Sequence, residues 1–191
     1  MVARFWMGGQ GYPACLRPSA GLSRSHADMP NHLHPYWRMQ YIQSRKDPQA
    51  GSPFATLLAS GDDRASLIVH RGRTCFVILN NFPYNPGHLM VLPNREVGEL
   101  AQLTTEERAE MMELLVKCQA VLTKVMSPAG FNVGLNLGKA AGAGIPTHLH
   151  FHVVPRWDGD QNFMPVVAET HILPQALDDL WARLQPVFAT V

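Results

Sequence analysis

The chain has 191 residues, of which 46% are hydrophobic and 16% charged, and its formal net charge is +1. This balance excludes a strongly basic nucleic-acid-binding surface, an acidic tail and wholesale disorder. No apolar run approaches the roughly 20 residues that a membrane helix needs, so no membrane partner is expected. The three cysteines are widely spaced, which favours a soluble protein of the reducing cytoplasm over a disulfide-bonded secreted one.

The amino-terminal part is predicted to be a disordered leader over residues 1–35, followed by a single domain over 36–191. Residues 1–28 combine glycine, proline, serine and scattered arginines without a period of 2 or 3.6 residues. The glycines of this segment disfavour the amphipathic helix of a transit peptide, and Met29 offers another start of translation. The aromatic run over 36–42 is either a short helix or an arm on the core, and 47–53 is predicted to be a loop.

Three antiparallel strands are predicted next, over residues 66–70, 75–79 and 88–93, because these short runs are rich in valine, isoleucine and leucine. A long helix follows. Thr104 and Glu107 form a capping box at its start, apolar residues recur at helical spacing, and Pro128 ends it. This helix should cover one face of the sheet.

Two further strands and a closing helix complete the predicted domain. Residues 131–137 alternate as a fourth strand, 138–146 form a loop rich in glycine and alanine, and 147–155 form the fifth strand. The closing helix follows Pro174 and carries an apolar stripe of Leu177, Leu180, Trp181 and Leu184. The order predicts an α+β fold, in which an antiparallel sheet of about five strands packs against a long helix and a C-terminal helix.

The most informative feature is a histidine at every second position of the fifth strand: His148, His150 and His152. Alternate side chains of a strand share a face, so the three imidazoles should line one surface while Leu149, Phe151 and Val153 face the core. Imidazole titrates near neutral pH and acts as a nucleophile, a proton donor or a metal ligand.

A metal site is one alternative. Neighbouring histidines of the triplet could share a zinc ion, but the outer two lie about 13 Å apart by the rise of a strand. Asp158 and Asp160 lie beyond the end of the strand, and no other carboxylate or cysteine is evident near the triplet. We therefore expect no metal ligands here and no required cofactor, although the pattern is compatible with a divalent ion.

The other alternative uses the middle imidazole as a nucleophile toward phosphorus. His150 would attack, with its second ring nitrogen hydrogen-bonded so that the attacking nitrogen stays unprotonated. His148 and His152 would contact phosphate oxygens or protonate the leaving group. The loop over 138–144 enters directly before the strand, and its small residues allow backbone N–H groups to approach a phosphate.

The run from His148 to Val154 resembles the alternating signature of the histidine triad (HIT) superfamily, and residues 80–88 are similar to its strand–turn–strand segment. The resemblance covers residues 36–188. It implies a HIT-like half-barrel, a homodimer and a covalent nucleotidyl-histidine intermediate. It also implies a role for each matched residue: His150 is the nucleophile, His148 and His152 are phosphate-site histidines, His88 is a supporting histidine, and Asn80 contacts ribose.

Segments 36–39, 84–91, 130–138 and 154–157 further resemble the bacterial diadenosine tetraphosphate phosphorylase branch, which cleaves its substrate with inorganic phosphate. This likeness implies that Asn136 and Trp157 contact phosphate and nucleotide. Gly144 stands where the fragile-histidine-triad hydrolases carry glutamine, and Ile145 where many members carry a hydroxyl group. Both departures weaken a triphosphate hydrolase assignment. Ala143 stands where phosphorylases can carry glycine, so phosphate and water both remain open as acceptors.

The resemblance therefore implies cleavage of a dinucleoside polyphosphate by attack of His150 on the α-phosphorus, with phosphate resolving the intermediate. The expected partners are a nucleotide, inorganic phosphate and a second copy of the chain, without nucleic acid. Asn80, Asn136, Gly144 and Trp157 are the expected substrate-binding residues. A HIT hydrolase of dinucleoside polyphosphates or phosphoramidates, and a non-catalytic nucleotide sensor, are the alternatives.

Overall fold

The computed structural model of the protein describes residues 51–160 and 176–191. Within them, one antiparallel sheet has the strand order β1-β2-β3-β5-β4. The strands are β1 Ile68–Arg71, β2 Cys75–Leu79, β3 Leu89–Pro93, β4 Gly130–Leu135 and β5 Phe151–Arg156. The α-helices are α1 Pro53–Ala59, α2 Thr105–Met126 and α3 Leu177–Phe188, and short 3-10 helices lie at Leu100–Gln102 and Lys139–Ala141. The predicted α+β sheet with a long and a C-terminal helix is confirmed.

The sheet separates two apolar cores, since β2 and β3 are buried along their whole length. Cys75, Val77 and Leu79 of β2 face the larger core, which contains the apolar faces of α2 and α3. Phe76 and Ile78 face a smaller core that includes α1. This alternation is the ordinary consequence of strand geometry. The prediction that the long helix covers one face of the sheet is confirmed, and the site lies on the other face.

The long helix begins where its capping box predicts. The Thr104 side chain accepts the Glu107 N–H at 3.1 Å, and the Glu107 carboxylate accepts the Thr104 N–H at 2.8 Å. Arg95 donates two hydrogen bonds of 2.7 Å to the same carboxylate. These bonds lower the pKa of Glu107 to about 2. They tie the connection after β3 to the start of α2.

Helix α1 was not predicted from the sequence. Its first residue, Pro53, is the last residue of the segment that was predicted to be a loop. Ser52 caps the helix by accepting the Phe54 N–H at 3.2 Å. Proline is favoured at the first helical position because its fixed φ already suits a helix. The capping signal was present in the sequence, but a helix of seven residues is too short to show an apolar period.

The sequence analysis predicted that the whole histidine triplet lies within a strand, and this prediction is wrong. Strand β5 begins at Phe151, so only His152 belongs to it. His148 and His150 precede this strand. The neighbouring strand β3 ends at Pro93, and the Leu149 N–H donates to the Val97 carbonyl at 2.7 Å instead of to a residue of β3. The predicted packing is nevertheless confirmed, since Leu149, Phe151 and Val153 all pack in the larger core.

The other predicted strand boundaries agree with the structure to within two residues. The predicted leader over 1–35, the run over 36–42 and Pro174 lie outside the described residues. No helix in the described ranges is long and apolar enough to cross a membrane.

Candidate active site

A cavity of about 320 Å³ opens on the sheet face that carries the smaller core. Five of the predicted site residues line it: His150, His152, Asn80, Asn136 and Gly144. Its remaining walls are largely apolar and come from α1, strands β2 and β3, and the segment before β1: Pro53, Phe54, Leu57, Ala65, Leu67, Ile78 and Met90. The fold therefore brings together residues that lie far apart in the sequence.

The ring of His150 lines this cavity, and a backbone hydrogen bond fixes the tautomer of its neutral form. Its Nδ1 lies 2.8 Å from the backbone oxygen of His148. A carbonyl oxygen only accepts hydrogen bonds, so Nδ1 carries the hydrogen, and the neutral ring has its lone pair on Nε2. The ring is also nearly buried, with 8% of the residue exposed. The hydrogen bond expected from a nucleophilic histidine is present.

His152 carries a hydrogen-bond donor where the neutral His150 ring carries an acceptor. A chain of hydrogen bonds fixes this tautomer of His152. The Tyr84 backbone N–H donates to Nδ1 of His88 at 3.1 Å, so this nitrogen is an acceptor. Nε2 of His88 then carries the hydrogen and donates to Nδ1 of His152 at 3.0 Å. The remaining hydrogen of the His152 ring is on Nε2. His152 thus offers a donor beside the lone pair of His150, with ring centroids 4.9 Å apart.

His88 lies behind the cavity and is fully buried. It directly precedes β3, and Asn80 directly follows β2, so the β2–β3 hairpin holds both residues side by side. The Asn80 side-chain amide lies 3.3 Å from Nδ1 of His88. Burial, with smaller contributions from His152 and His150, lowers the pKa of His88 to about 3. His88 is therefore neutral at physiological pH, as its donor and acceptor roles require.

His148 is placed in the protein interior. Its Nε2 lies 2.8 Å from the Pro93 carbonyl oxygen, and its Nδ1 lies 2.7 Å from the Ser52 hydroxyl. Burial lowers its pKa. Both ring nitrogens bond to protein groups, so the expected contact of this ring with phosphate oxygens does not follow from the geometry. His148 reaches the site through its carbonyl oxygen, which accepts from His150.

Phe54 is a site residue that the sequence analysis missed, because it belongs to the unpredicted helix α1. Its ring centroid lies 5.7 Å from that of His148 in an edge-on arrangement and 5.4 Å from that of His150. The same ring lines the cavity. Phe54 therefore packs against the candidate nucleophile and contributes to the apolar wall of the cavity.

The remaining predicted residues divide between the cavity and its surroundings. Asn136 and Gly144 line the cavity beside Gly142, whose φ of 88° suits glycine. Trp157 is not among the described residues that line it. Its backbone N–H donates to Asp160 at 3.2 Å in a turn held by the Arg156–Asp160 ion pair. The predicted role of Trp157 in substrate binding stays a prediction.

The positions of the three imidazoles bear on whether the triplet could bind a metal ion. In the parts of the chain that the structure describes, no group of three histidine, cysteine or acidic side chains has an arrangement that could hold a metal ion. The His148 ring faces Ser52 and Pro93, whereas His150 and His152 face the cavity. The three imidazoles of the triplet therefore do not converge on one point.

Comparison with known proteins agrees with the resemblance inferred from the histidine pattern. The HIT domain family matches residues 63–159. The chain belongs to the HIT family. This HIT protein is 44% identical over 161 residues to the AP-4-A phosphorylase of Mycobacterium tuberculosis, and the match covers 77% of this chain and 82% of that protein. It is also 35% identical over 95 residues to the asymmetrical bis(5'-nucleosyl)-tetraphosphatase of Schizosaccharomyces pombe, covering 50% and 52% of the two chains.

Solved structures agree on the fold. The crystal structure of a hypothetical histidine triad nucleotide-binding protein from Sulfolobus tokodaii matches this HIT domain with a TM-score of 0.59 and 19% identity. The match covers 73% of this chain and 93% of that chain. At this identity the likeness establishes the shared fold alone.

Proposed function

We propose that the protein cleaves diadenosine tetraphosphate or a similar dinucleoside polyphosphate, with His150 as the nucleophile and inorganic phosphate as the acceptor. The observation that carries the proposal is the 2.8 Å hydrogen bond between Nδ1 of His150 and the His148 carbonyl. This bond leaves the lone pair of a neutral imidazole on the nitrogen that attacks. The activities for which the relatives from M. tuberculosis and S. pombe are named support the substrate class.

In the first step, Nε2 of His150 forms a bond to the α-phosphorus, and the bond from that phosphorus to the bridging oxygen breaks. With diadenosine tetraphosphate, ATP leaves as an anion and AMP stays on the histidine. The new positive charge of the imidazole ring is stabilised by the His148 carbonyl, which keeps its hydrogen bond to Nδ1. The Nε2–H of His152 donates a hydrogen bond to the developing negative charge on the phosphoryl oxygens.

In the second step, an oxygen of inorganic phosphate attacks the same phosphorus, and the bond between phosphorus and Nε2 breaks. The product is ADP, and His150 recovers its lone pair. Asn80, Asn136 and the backbone around Gly144 line the cavity and are proposed to bind the ribose and the phosphate groups. Trp157 is proposed to contact the nucleotide from the end of β5.

The test is to incubate the purified full-length protein with diadenosine tetraphosphate, with and without inorganic phosphate, and to separate the products. ADP and ATP formed only with phosphate would support phosphorolysis. AMP and ATP formed without phosphate would identify a hydrolase, the activity for which the S. pombe relative is named. Absence of cleavage would overturn the proposal and favour phosphoramidates as substrates or a nucleotide sensor.

We also propose that the protein acts as a homodimer. Strand β4 lies at one edge of the described sheet, and its Val133 is 44% exposed. Met112 and Val116 expose more than half of their surface on α2. A second copy could cover these apolar groups. Sedimentation equilibrium of the wild-type protein and of Val133→Glu tests this proposal, since a monomeric wild type would overturn it.

We propose a cytoplasmic location and a reaction without an added cofactor. Cys75 and Cys118 are buried free thiols, as is common in a reducing compartment. Cell fractionation tests the location. Activity that persists after exhaustive treatment with a chelator would support independence from metal, whereas activity restored only by a divalent ion would overturn it.

A further inference from the structure

Ser52 joins helix α1 to the histidine triplet, although His148 is 96 positions away in the chain. The residue is buried, with 2% of its surface exposed. Its backbone N–H donates to the Glu96 carboxylate at 2.9 Å. Its hydroxyl oxygen accepts the Phe54 N–H and lies 2.7 Å from Nδ1 of His148. Ser52 is thus held through its backbone while its side chain contacts a histidine.

The direction of the hydrogen bond between Ser52 and His148 follows from the opposite side of the imidazole. Nε2 faces the carbonyl oxygen of Pro93 at 2.8 Å and must carry the hydrogen. In the neutral ring, Nδ1 is then an acceptor, and the Ser52 hydroxyl is the donor. The other tautomer would direct a lone pair at the Pro93 oxygen, which also only accepts. The Pro93 carbonyl thus fixes the tautomer, and the Ser52 hydroxyl, which donates to Nδ1 from the other side, holds the ring in one orientation.

The orientation of His148 affects the candidate nucleophile through one residue. The ring of His148 is fixed at two points, by Ser52 and Pro93, and its carbonyl oxygen accepts from Nδ1 of His150. Without Ser52 the His148 ring is held only at Nε2, and the residue loses one of the contacts that restrain it. The hydrogen bond that keeps the lone pair on Nε2 of His150 would then weaken.

We propose that Ser52 is a positioning residue for nucleotidyl transfer, acting on His150 through His148. The inference rests on the proposed function for its catalytic consequence, whereas the hydrogen-bonded arrangement can be measured in the resting protein. It gives the short helix α1 a second role beside forming the cavity wall. The residue that caps the helix also orients the histidine whose carbonyl holds the nucleophile.

The main variant is Ser52→Gly, because glycine is nearly as good as serine at a helix N-cap but has no hydroxyl group. Ser52→Thr restores a hydroxyl. Ser60→Gly is the matched control. Ser60 lies at the other end of α1, where its hydroxyl bonds to the Leu57 carbonyl and to Ser66 at 2.8 Å, and the residue is exposed.

Two readouts are needed. The first is the ¹⁵N spectrum of the histidine side chains in the resting protein, which reports the tautomers of His148 and His150 without any substrate. The second is kcat and KM for diadenosine tetraphosphate with phosphate. For Ser52→Gly we expect the Nδ1 resonance of His148 to shift because its hydrogen bond is lost, while Nε2 stays protonated against Pro93. We also expect kcat to fall about 10- to 100-fold with little change in KM, the magnitude found for residues that orient ligating histidines.

Ser52→Thr should restore most of kcat and the wild-type Nδ1 resonance of His148, and Ser60→Gly should resemble the wild type in both readouts. Ser52→Gly with wild-type kcat or an unchanged Nδ1 resonance of His148 would overturn the inference. An equal loss of kcat in Ser60→Gly would also overturn it, because the effect would then belong to the stability of α1. If the wild type cleaves no dinucleotide, the proposed function fails, and the spectra still test the Ser52–His148 hydrogen bond.

Discussion

Nε2 of His88 lies 3.0 Å from Nδ1 of His152, and the backbone N–H of Tyr84 fixes which of the two nitrogens donates. His88 accepts at Nδ1 and must therefore donate at Nε2. The hydrogen that His152 directs into the cavity is a consequence of this arrangement. His88 is thus expected to act through His152 without touching the substrate.

Replacing His88 should reveal this role. His88→Leu removes the donor to His152 and is expected to lower kcat about 10- to 100-fold, because His152 can then adopt the wrong tautomer. His88→Gln keeps a side-chain N–H near the position of Nε2 and should retain much more activity. Steady-state kinetics of both variants with diadenosine tetraphosphate and phosphate provide the measurement. Equal kcat values for the two variants would argue against the donor role.

The buried His88 also predicts a loss of stability in acid. Its pKa is lowered from the usual 6.5 to about 3 in the folded protein. Between these two pH values the unfolded chain binds a proton that the folded chain does not, so the free energy of unfolding falls as the pH falls through this window. Urea unfolding measured at several pH values from 7 to 4 provides the test. His88→Gln should show a shallower decline, and parallel curves would contradict the assignment.

His150→Ala separates binding from chemistry. The substitution removes the nucleophile but leaves the apolar wall of Phe54, Leu57, Ile78 and Met90 in place. We expect turnover to fall below detection while diadenosine tetraphosphate still binds within about tenfold of the wild-type affinity. Calorimetry and product separation measure the two properties on the same preparation. A variant that still released ADP would show that the nucleophile is another residue.

Gly87 directly precedes His88, so an added methyl group at Gly87 tests whether the β2–β3 loop positions His88. Its φ is 81°, and an added Cβ would lie 2.7 Å from Sδ of Met126 and 3.2 Å from side-chain carbons of Leu122 and Pro155. Gly61 has a similar φ of 75° but no atom within 4 Å of such a Cβ. Gly87→Ala should therefore be less stable than Gly61→Ala by about 1–3 kcal/mol, the usual effect of overpacking.

Thermal or urea unfolding of the two alanine variants isolates the steric part, since both carry the same left-handed backbone strain. Only Gly87→Ala should also lower kcat, because the added methyl group displaces the neighbouring His88. Equal stabilities would indicate that Met126 moves aside without consequence for the loop.

Sequence patterns were sufficient for the parts of this fold that have long periods or strong end signals. The capping box of Thr104 and Glu107 placed the start of α2, and alternating apolar residues placed the strands. The alternation of histidines and apolar residues also predicted that Leu149 and Phe151 face the core. These features depend on neighbours in the sequence, which is why the sequence alone reveals them.

The rest of the site depends on contacts between distant segments, and these leave little local signal. The sequence placed His148 with the phosphate-contacting histidines, whereas its ring bonds to Ser52 and Pro93. Nothing near His148 in the sequence indicates either partner. Phe54 was missed for a related reason, because α1 is too short for its capping residue to distinguish a helix from a turn.

The cavity has one property that bears on how a polyanion would be held. None of the described residues that line it is a lysine, arginine, aspartate or glutamate. The described walls therefore offer a polyanion N–H dipoles at short range. Such contacts are screened only weakly by dissolved salt. The part of substrate affinity that these walls contribute should accordingly change little with ionic strength, whereas contacts from clustered lysine and arginine side chains would weaken as salt is added.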